Sequence, residues 1–389
     1  MPRTFVCLRL VHPIILLFGF AAGAGAGCAA SQPPEGGGPP DAGSGGAGTA
    51  GASATGGATG SGGAAANDDA STIPPVDAAV DHGATEASDA APPDTATVDT
   101  PTDRPPGKVT HRVLSSVSDK GMMAIVGADG QIEWQYDALS LGGEANDAWM
   151  LANGDIVFAY KSGARQMTQA KQVVWNYNAP AGTEVHSSQP LPDGNTLIGE
   201  AHDGGLGLLH EIDQTGKVIS TVTINVGGGI APHNQFREVR KTPQGTYLVT
   251  YLQTNKAMEF DGDGKMLRQF PCGSFVAVRL PDGNTLISCG DAHSVIEVDP
   301  QNKVVWQVNE TDVPGNRLGF AAGLQRLPNG NTVICNWPGH FAMDPHQPQA
   351  FELSPDKKVV WELNNAQLGW VSNLEVLDPD AVVGGVVLR

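Results

Sequence analysis

The sequence predicts an all-β fold: a six-bladed β-propeller of four-stranded antiparallel blades, closed by the C-terminal strand and preceded by a disordered N-terminal tether. Three observations predict it. The segment LPDGNTLI occurs twice letter for letter, from Leu191 and from Leu280, and a third time as LPNGNTVI from Leu327. Two looser relatives, LANGDIVF from Leu151 and TPQGTYLV from Thr242, complete a series spaced by roughly 40 to 50 residues, the size of one blade. Between these turns a tryptophan recurs, in QIEW (Trp134), QVVW (Trp175) and KVVW (Trp306, Trp361), with Ser220 and Arg268 in its place in two units.

Residues 1–27 read as an export signal. Arg3 and Arg9 precede the apolar run IILLFGFAA, which is too short to span a bilayer as a mature helix. The run leads to GAGC, which resembles the lipobox of bacterial lipoproteins, with Gly25 where that pattern prefers Leu. The resemblance implies lipidation of Cys28 and anchoring of an exported protein at the cell envelope; cleavage without lipidation leaves a secreted soluble protein. Residues 28–107 are Gly, Ala, Ser, Thr, Pro and Asp, with almost no large apolar side chain. Such a composition cannot bury enough surface to offset the entropy of ordering, so it predicts a disordered tether. Its carboxylates face only Arg104, and they carry much of the formal net charge of −18. That acidic balance excludes nucleic acid as a partner.

Residues 108–389 carry the repeat. Each unit reads as strand A, a DGN turn, strand B, a variable loop, strand C, a GK-type turn and strand D with its tryptophan. Pro and Asp enter the turn, Gly supplies the positive φ, and alternating Val, Ile and Leu fill the packed faces. Strand C is marked by HEID (Asp213), MEFD (Asp261), IEVD (Asp299) and FELS (Ser354). Five complete units run from Asn146 to about Leu363, and the ends make the sixth. Three strands lie between His111 and Tyr136, and SNLEVL from Ser372 supplies the missing innermost one. The repeated tryptophans are expected to pack between blades. Of the three cysteines here, Cys272 and Cys289 flank one hairpin and could meet, leaving Cys335.

The repeat resembles the quinoprotein-like (PQQ-repeat-like) propellers, whose blades end in a GKxxW segment. The resemblance covers the whole of 108–389 and implies architecture more than function. Eight blades and an adjacent-cysteine pair mark the quinone-dependent dehydrogenases of that superfamily. Neither is present, so no cofactor is expected.

Propeller geometry places all DGN turns on one face. Residues just before strand A and just after strand B therefore crowd the opposite mouth, where loops of six blades converge. Before strand A stand Asn146, Asp147, His186, His233, Asn234, Arg237 and Trp370; after strand B stand Lys161, His202, His293 and the cluster CNWPGH with Asn336, Trp337 and His340. His186, His233, Asn234, Arg237, His202, Asn336, Trp337 and His340 are the candidate ligand-binding set. Trp would stack on a sugar or aromatic ring while His and Asn orient it. No metal site is expected: His202, His210 and His293 lack ligand spacing, and GADGQIE and FDGDGK lack the later Glu of a calcium loop. The segments EVHSSQPLPDGNTLI and APHNQFREVRKTPQGTYLV also resemble the bacterial arylsulfotransferase propellers. That resemblance implies a sulfo group carried on His186 or His233 and steadied by Arg237; it departs from the family at Phe275, where a further His would stand. Three functions thus follow as expectations: a binding or scaffolding module for a small molecule, glycan or protein; a sulfotransferase-like enzyme; and a protein-interaction platform without a small ligand.

Overall fold

The computed structural model describes residues 110–313, 318–338, 347–382 and 385–389. The segments read as signal and tether, with Cys28, lie outside the described residues, as does His340. Among the described residues the strands form six four-stranded sheets. Blades 2 to 6 each use four consecutive strands, beginning with Ala145–Met150, Glu184–Pro190, Phe236–Lys241, Ala277–Arg279 and Ala321–Arg326. Blade 1 is composite. Its innermost strand, Val371–Val376, pairs antiparallel with Val113–Val117, and Met122–Val126 and Ile132–Asp137 follow. The last strand thus closes the ring from inside, and neither chain end leaves an unpaired inner edge.

The repeated octapeptide builds the turn after each innermost strand. In blade 3 the Leu191 and Gly194 amides bond to the Asn195 and Leu191 carbonyls at 2.8 and 3.0 Å. Gly194 sits at φ 85°, where a side chain is disfavoured, and Asp193 accepts the Asn195 amide at 3.0 Å. Blade 5 repeats this at Leu280, Gly283 and Asn284. The strand-D tryptophans link blades. Trp134 Nε1 donates to the Gln169 carbonyl of blade 2 at 2.8 Å, and Trp306 Nε1 to the Pro355 carbonyl of blade 6 at 3.1 Å. Cys272 and Cys289 form a disulfide beside blade 5, and Cys335 is free and buried.

His111 fastens the closure. It lies 2.7 Å from Glu352 of blade 6 through Nε2 and 2.5 Å from Asp378, beyond the closing strand, through Nδ1. Burial alone would lower its pKa, but the two carboxylates overcome that and raise it. Donating from both nitrogens requires the imidazolium form.

On the axis the innermost strands crowd polar groups that must satisfy one another. Asp147 of blade 2, with its side chain fully buried, takes a bidentate pair from Arg240 of blade 4 at 2.8 and 3.0 Å. It also accepts the Ser188 amide of blade 3 at 2.9 Å and the Asn373 amide group of blade 1 at 3.1 Å. Glu238, pushed by burial up to about 8 against the pull of Arg240, bonds Arg240 and Asn373, each at 2.5 Å. Segment 385–389 completes this core from the turn side. Leu388 bridges to Arg326, and the buried Arg389 guanidinium bonds Glu375 at 3.1 Å and lies 4.3 Å from the Trp149 ring centre. Replacing Asp147 by Ala removes one of the two carboxylates beside each of the buried Arg240 and Arg389 guanidinium groups, together with the acceptor for the Ser188 and Asn373 donors, so Asp147→Ala is expected to cost about 3–5 kcal/mol. A urea unfolding curve with an unshifted midpoint would contradict that role.

Candidate functional site

The site begins with a local irregularity of the innermost strands. In blades 1, 2, 3, 4 and 6 the pairing of the first two strands slips by one residue. The slips fall at Ser372, at Asp147 and Ala148, at His186, at Arg237 and Glu238, and at Ala322 and Gly323. A bulge re-aims side chains that regular alternation would direct elsewhere. Here it brings polar side chains of several blades to the axis and mouth.

His186 is at the centre of the polar group, with no exposed side-chain surface. Its Nε2 lies 2.9 Å from Glu184 Oε2, and its Nδ1 faces Asn146 Nδ2 at 3.1 Å and Arg237 Nη1 at 3.0 Å. Nδ1 thus accepts and Nε2 donates, which is the neutral ring. Burial first, then the Arg237 charge, pushes the His186 pKa down to about 4. Glu184 Oε2 also meets His233 Nδ1 at 2.9 Å, and Oε1 meets Lys161 at 3.1 Å. Burial opposes ionisation of Glu184, but the hydrogen bonds from the two histidines hold its carboxyl well below the usual range. His233 is 43% exposed, and its Nε2 lies 3.3 Å from Arg237 Nη2. A ring nitrogen fixed by a carboxylate leaves the other nitrogen of His233 oriented for proton or group transfer.

Glu184, His186 and His233 present ligand atoms within 4.8 Å of one another, a two-histidine, one-carboxylate set of the kind that holds transition metals. The neighbours argue against a cation. Lys161 already neutralises Glu184, and a metal on His186 Nε2 would leave an Nδ1 proton pointing at the Arg237 guanidinium. The group is better arranged for protons than for a metal ion.

Beside it a half-open cavity of about 190 Å³ is lined by Glu144, Asn146, His233, Asn234, Arg237, Leu252, Phe275, Phe320, Trp337, Trp370, Ser118, Asp119 and Ser372. All of these stand before a first strand, on it or after a second strand, at the end opposite the DGN turns. Ring order divides the wall. Blades 2 and 4 contribute Glu144, Asn146, His233, Asn234 and Arg237, whereas blades 5, 6 and 1 contribute the aromatic rings. Those rings pack edge to face in a chain: Phe275–Phe320 at 6.3 Å, Phe320–Trp337 at 5.2 Å and Trp337–Trp370 at 6.3 Å. Trp337 Nε1 donates to Ser118 Oγ at 2.8 Å, and the Trp370 amide donates to Asp119 at 2.7 Å, so blade 1 braces both tryptophans.

Of the residues expected at the mouth, His233, Asn234, Arg237 and Trp337 line this cavity, and His186 stands directly behind it. His202 and Asn336 do not. His202 bonds Glu200 at 2.6 Å, and Glu200 also takes the Tyr177 hydroxyl at 2.5 Å. Asn336 is buried and accepts the Gly319 amide at 2.8 Å, holding a loop. Asp147 is an axial ion-pair residue rather than a mouth residue. Glu184, Glu144, Asp119, Phe275 and Phe320 were not read from the sequence. The alternation Glu184-Val185-His186, which puts two polar groups on one strand face, is the signal that could have found the first. The others lie in loops or apolar runs with no distinguishing pattern.

With the fold and cavity in place, the chain matches the family model described as Mal s 1 allergenic protein-like over residues 118–358, and it belongs to that family. No curated protein matches it. A protein of unknown function from Bacteroides caccae, known from a crystal structure, is 33% identical, with a TM-score of 0.64; the match covers 69% of this chain and all of that one. Virginiamycin B lyase from Staphylococcus aureus is 11% identical, with a TM-score of 0.46 over 67% of this chain and 87% of its own. A functionally unknown protein from Desulfotomaculum acetoxidans is 14% identical, with a TM-score of 0.45 over 70% of this chain and 100% of its own. The last two likenesses are too distant to bear on the site.

The buried neutral histidine makes the site acid-sensitive. Between the ordinary histidine value of 6.5 and about 4, the unfolded chain takes up a proton that folded His186 refuses. Stability contributed by His186 is therefore present above 6.5 and lost as the pH falls toward 4. Glu184, whose folded pKa is depressed, adds a loss of the same sign below the ordinary carboxylate value. His111, with a raised pKa, has the opposite sign: its contribution is present below 6.5 and lost as the pH rises through its folded value. Comparing His186→Asn with the parent cancels the His111 effect. The variant is expected to lose the fall in melting temperature between pH 6.5 and 4, and parallel profiles would refute the assignment.

Proposed function

We propose that this propeller is a binding module whose small ligand enters the mouth opposite the DGN turns. The observation that carries the reading is a half-open cavity where a polar wall, His233 and Arg237, faces a braced aromatic wall, Trp337 and Trp370. Planar rings, aromatic or glycosyl, suit such a site, because edge-braced indoles offer rigid apolar faces at low entropic cost. Ligand-observed NMR with a library of aromatic compounds and glycosides tests it on the full chain. Trp337→Ala and Trp370→Ala are each expected to weaken binding about tenfold or more while leaving the melting temperature close to the parent's. Hits that bind both variants as well as the parent would place the site elsewhere.

Envelope anchoring belongs to the same reading. Export is supported by the Cys272–Cys289 disulfide, since such bonds persist in oxidising compartments, and lipidation at Cys28 would place the propeller at the membrane surface on its acidic tether.

A second reading, sulfo transfer, is favoured by one observation: His233 lies in the cavity wall with Nδ1 on Glu184 and Nε2 beside Arg237. In that reading Nε2 attacks sulfur, the phenolate leaves, and Arg237 steadies the sulfuryl oxygens. His186, wholly buried, would act by holding Glu184 and Arg237 rather than as the nucleophile. Intact-mass analysis after incubation with an aryl sulfate is expected to show one added sulfo group, absent in His233→Ala. An unchanged mass in the parent protein leaves the binding module alone.

A further inference from the structure

We infer that the ligand is a planar organic monoanion, its acid group on the Arg237 guanidinium and its ring against Trp337 and Trp370; this rests on the binding reading above. Arg237 carries the argument. Its guanidinium is buried, and its hydrogen bonds go to imidazole nitrogens rather than to a carboxylate, His186 Nδ1 at 3.0 Å and His233 Nε2 at 3.3 Å. The carboxylate nearest to it in the cavity, Glu144, stands 3.7 Å away, beyond hydrogen-bond reach, on a partly exposed side chain. Buried charges are ordinarily paired and hydrogen-bonded, and a guanidinium presents five donors in a planar fork that matches an oxyanion. This one lies in the wall of an open cavity with donors to spare. The other wall adds an unpartnered group: Ser372 is buried, lines the cavity, and its hydroxyl has no hydrogen-bond partner among the described residues.

The remaining charges set the valence. Glu144 and Asp119 both line the cavity, so a dianion such as a phosphate monoester would meet two carboxylates and one strong cation. A singly charged carboxylate or sulfate meets half of that repulsion and can compete with Glu144 for Arg237. The distance from the polar residues of blades 2 and 4 across to the aromatic rings of blades 5, 6 and 1 is bridged by the body of a ring system. A free inorganic anion could not use the aromatic half.

The test is calorimetric titration of the full chain with aryl and indolyl monocarboxylates and monosulfates, each paired with its uncharged amide or alcohol. The acids are expected to bind about ten- to a hundredfold more tightly than their neutral partners, the range of one charge-assisted hydrogen-bonded pair. Arg237→Gln should abolish that difference, and Glu144→Gln should enlarge it several-fold by removing the competing carboxylate. The second variant alters a partly exposed residue and keeps the test decisive where Arg237→Gln fails to fold. Equal affinities for acid and neutral partner, or a Glu144→Gln protein that weakens acids, would overturn the anion class while leaving the binding module standing. Acid binding that survives Trp337→Ala and Trp370→Ala unchanged would remove this cavity as the site and the ring-stacking part of the inference with it. Absence of binding by every pair overturns the ligand class outright.

Discussion

One buried carboxylate organises this molecule. Asp147 sits where the innermost strands meet, and its two oxygens collect a guanidinium from blade 4, an amide and a hydroxyl from blade 3, and an Asn amide group from blade 1. An unpaired charge there would be too costly to keep, so the four blades must approach one another in a single register. Its backbone, at φ 31°, occupies a left-handed region that Asp tolerates better than most residues. The bulge that forces this conformation also points the carboxylate inward. The apolar clusters between blades tolerate small shifts; the axial hydrogen bonds do not.

The same bulge does different work along the axis. In blades 2 and 4 it sends Asp147 and Glu238 toward the turn side, where Arg240 bonds both and Arg389 of segment 385–389 meets Asp147 and Glu375. Nearer the mouth the bulges of blades 3 and 4 place the enclosed His186 and Arg237, and there Arg237 borders the open cavity. The axis therefore changes character over a short distance, from a network in which each guanidinium is paired with carboxylates to a cluster in which Arg237 hydrogen-bonds only imidazoles. The former fits a structural core, and the latter fits a place for a ligand.

His186 and His233 show how position separates two residues of one type. Both contact Glu184 Oε2 at 2.9 Å. His186 is enclosed, held neutral by burial and by Arg237, and serves as a strut whose lone pair steadies the guanidinium. His233 stands at the surface of the cavity, with one nitrogen committed and the other within reach of a guest. The aromatic half is built by similar division of labour. Trp337 and Trp370 line the space, while Ser118 of the closing blade holds the Trp337 indole and Asp119 ties down the Trp370 backbone. Ring closure by Val371–Val376 is thus also what completes the site, because it brings the 118–119 loop and Trp370 together.

How much of this was legible beforehand follows from where the information lies. LPDGNTLI is a local statement: Pro, Asp, Gly and Asn specify a turn by their own backbone preferences, so three copies and their relatives count blades and give each a direction. The pairing of the N-terminal strands with the last strand also followed, because the first unit lacked an innermost strand. The location of the mouth is a consequence of that topology, and His233, Arg237 and Trp337 were found through it. Local sequence could not assign Asp147 to the axis, put Glu184 between two histidines, or separate Trp337 from Asn336, its immediate neighbour with a purely structural contact set. Those outcomes depend on one-residue slips in strand pairing and on which blade stands across the ring. The sequence by itself determined the blade, its repetition and its closure, because turns and alternation are local. Only the tertiary structure decided which polar residues are satisfied and which are left facing open space, because that depends on partners 40 to more than 200 residues away.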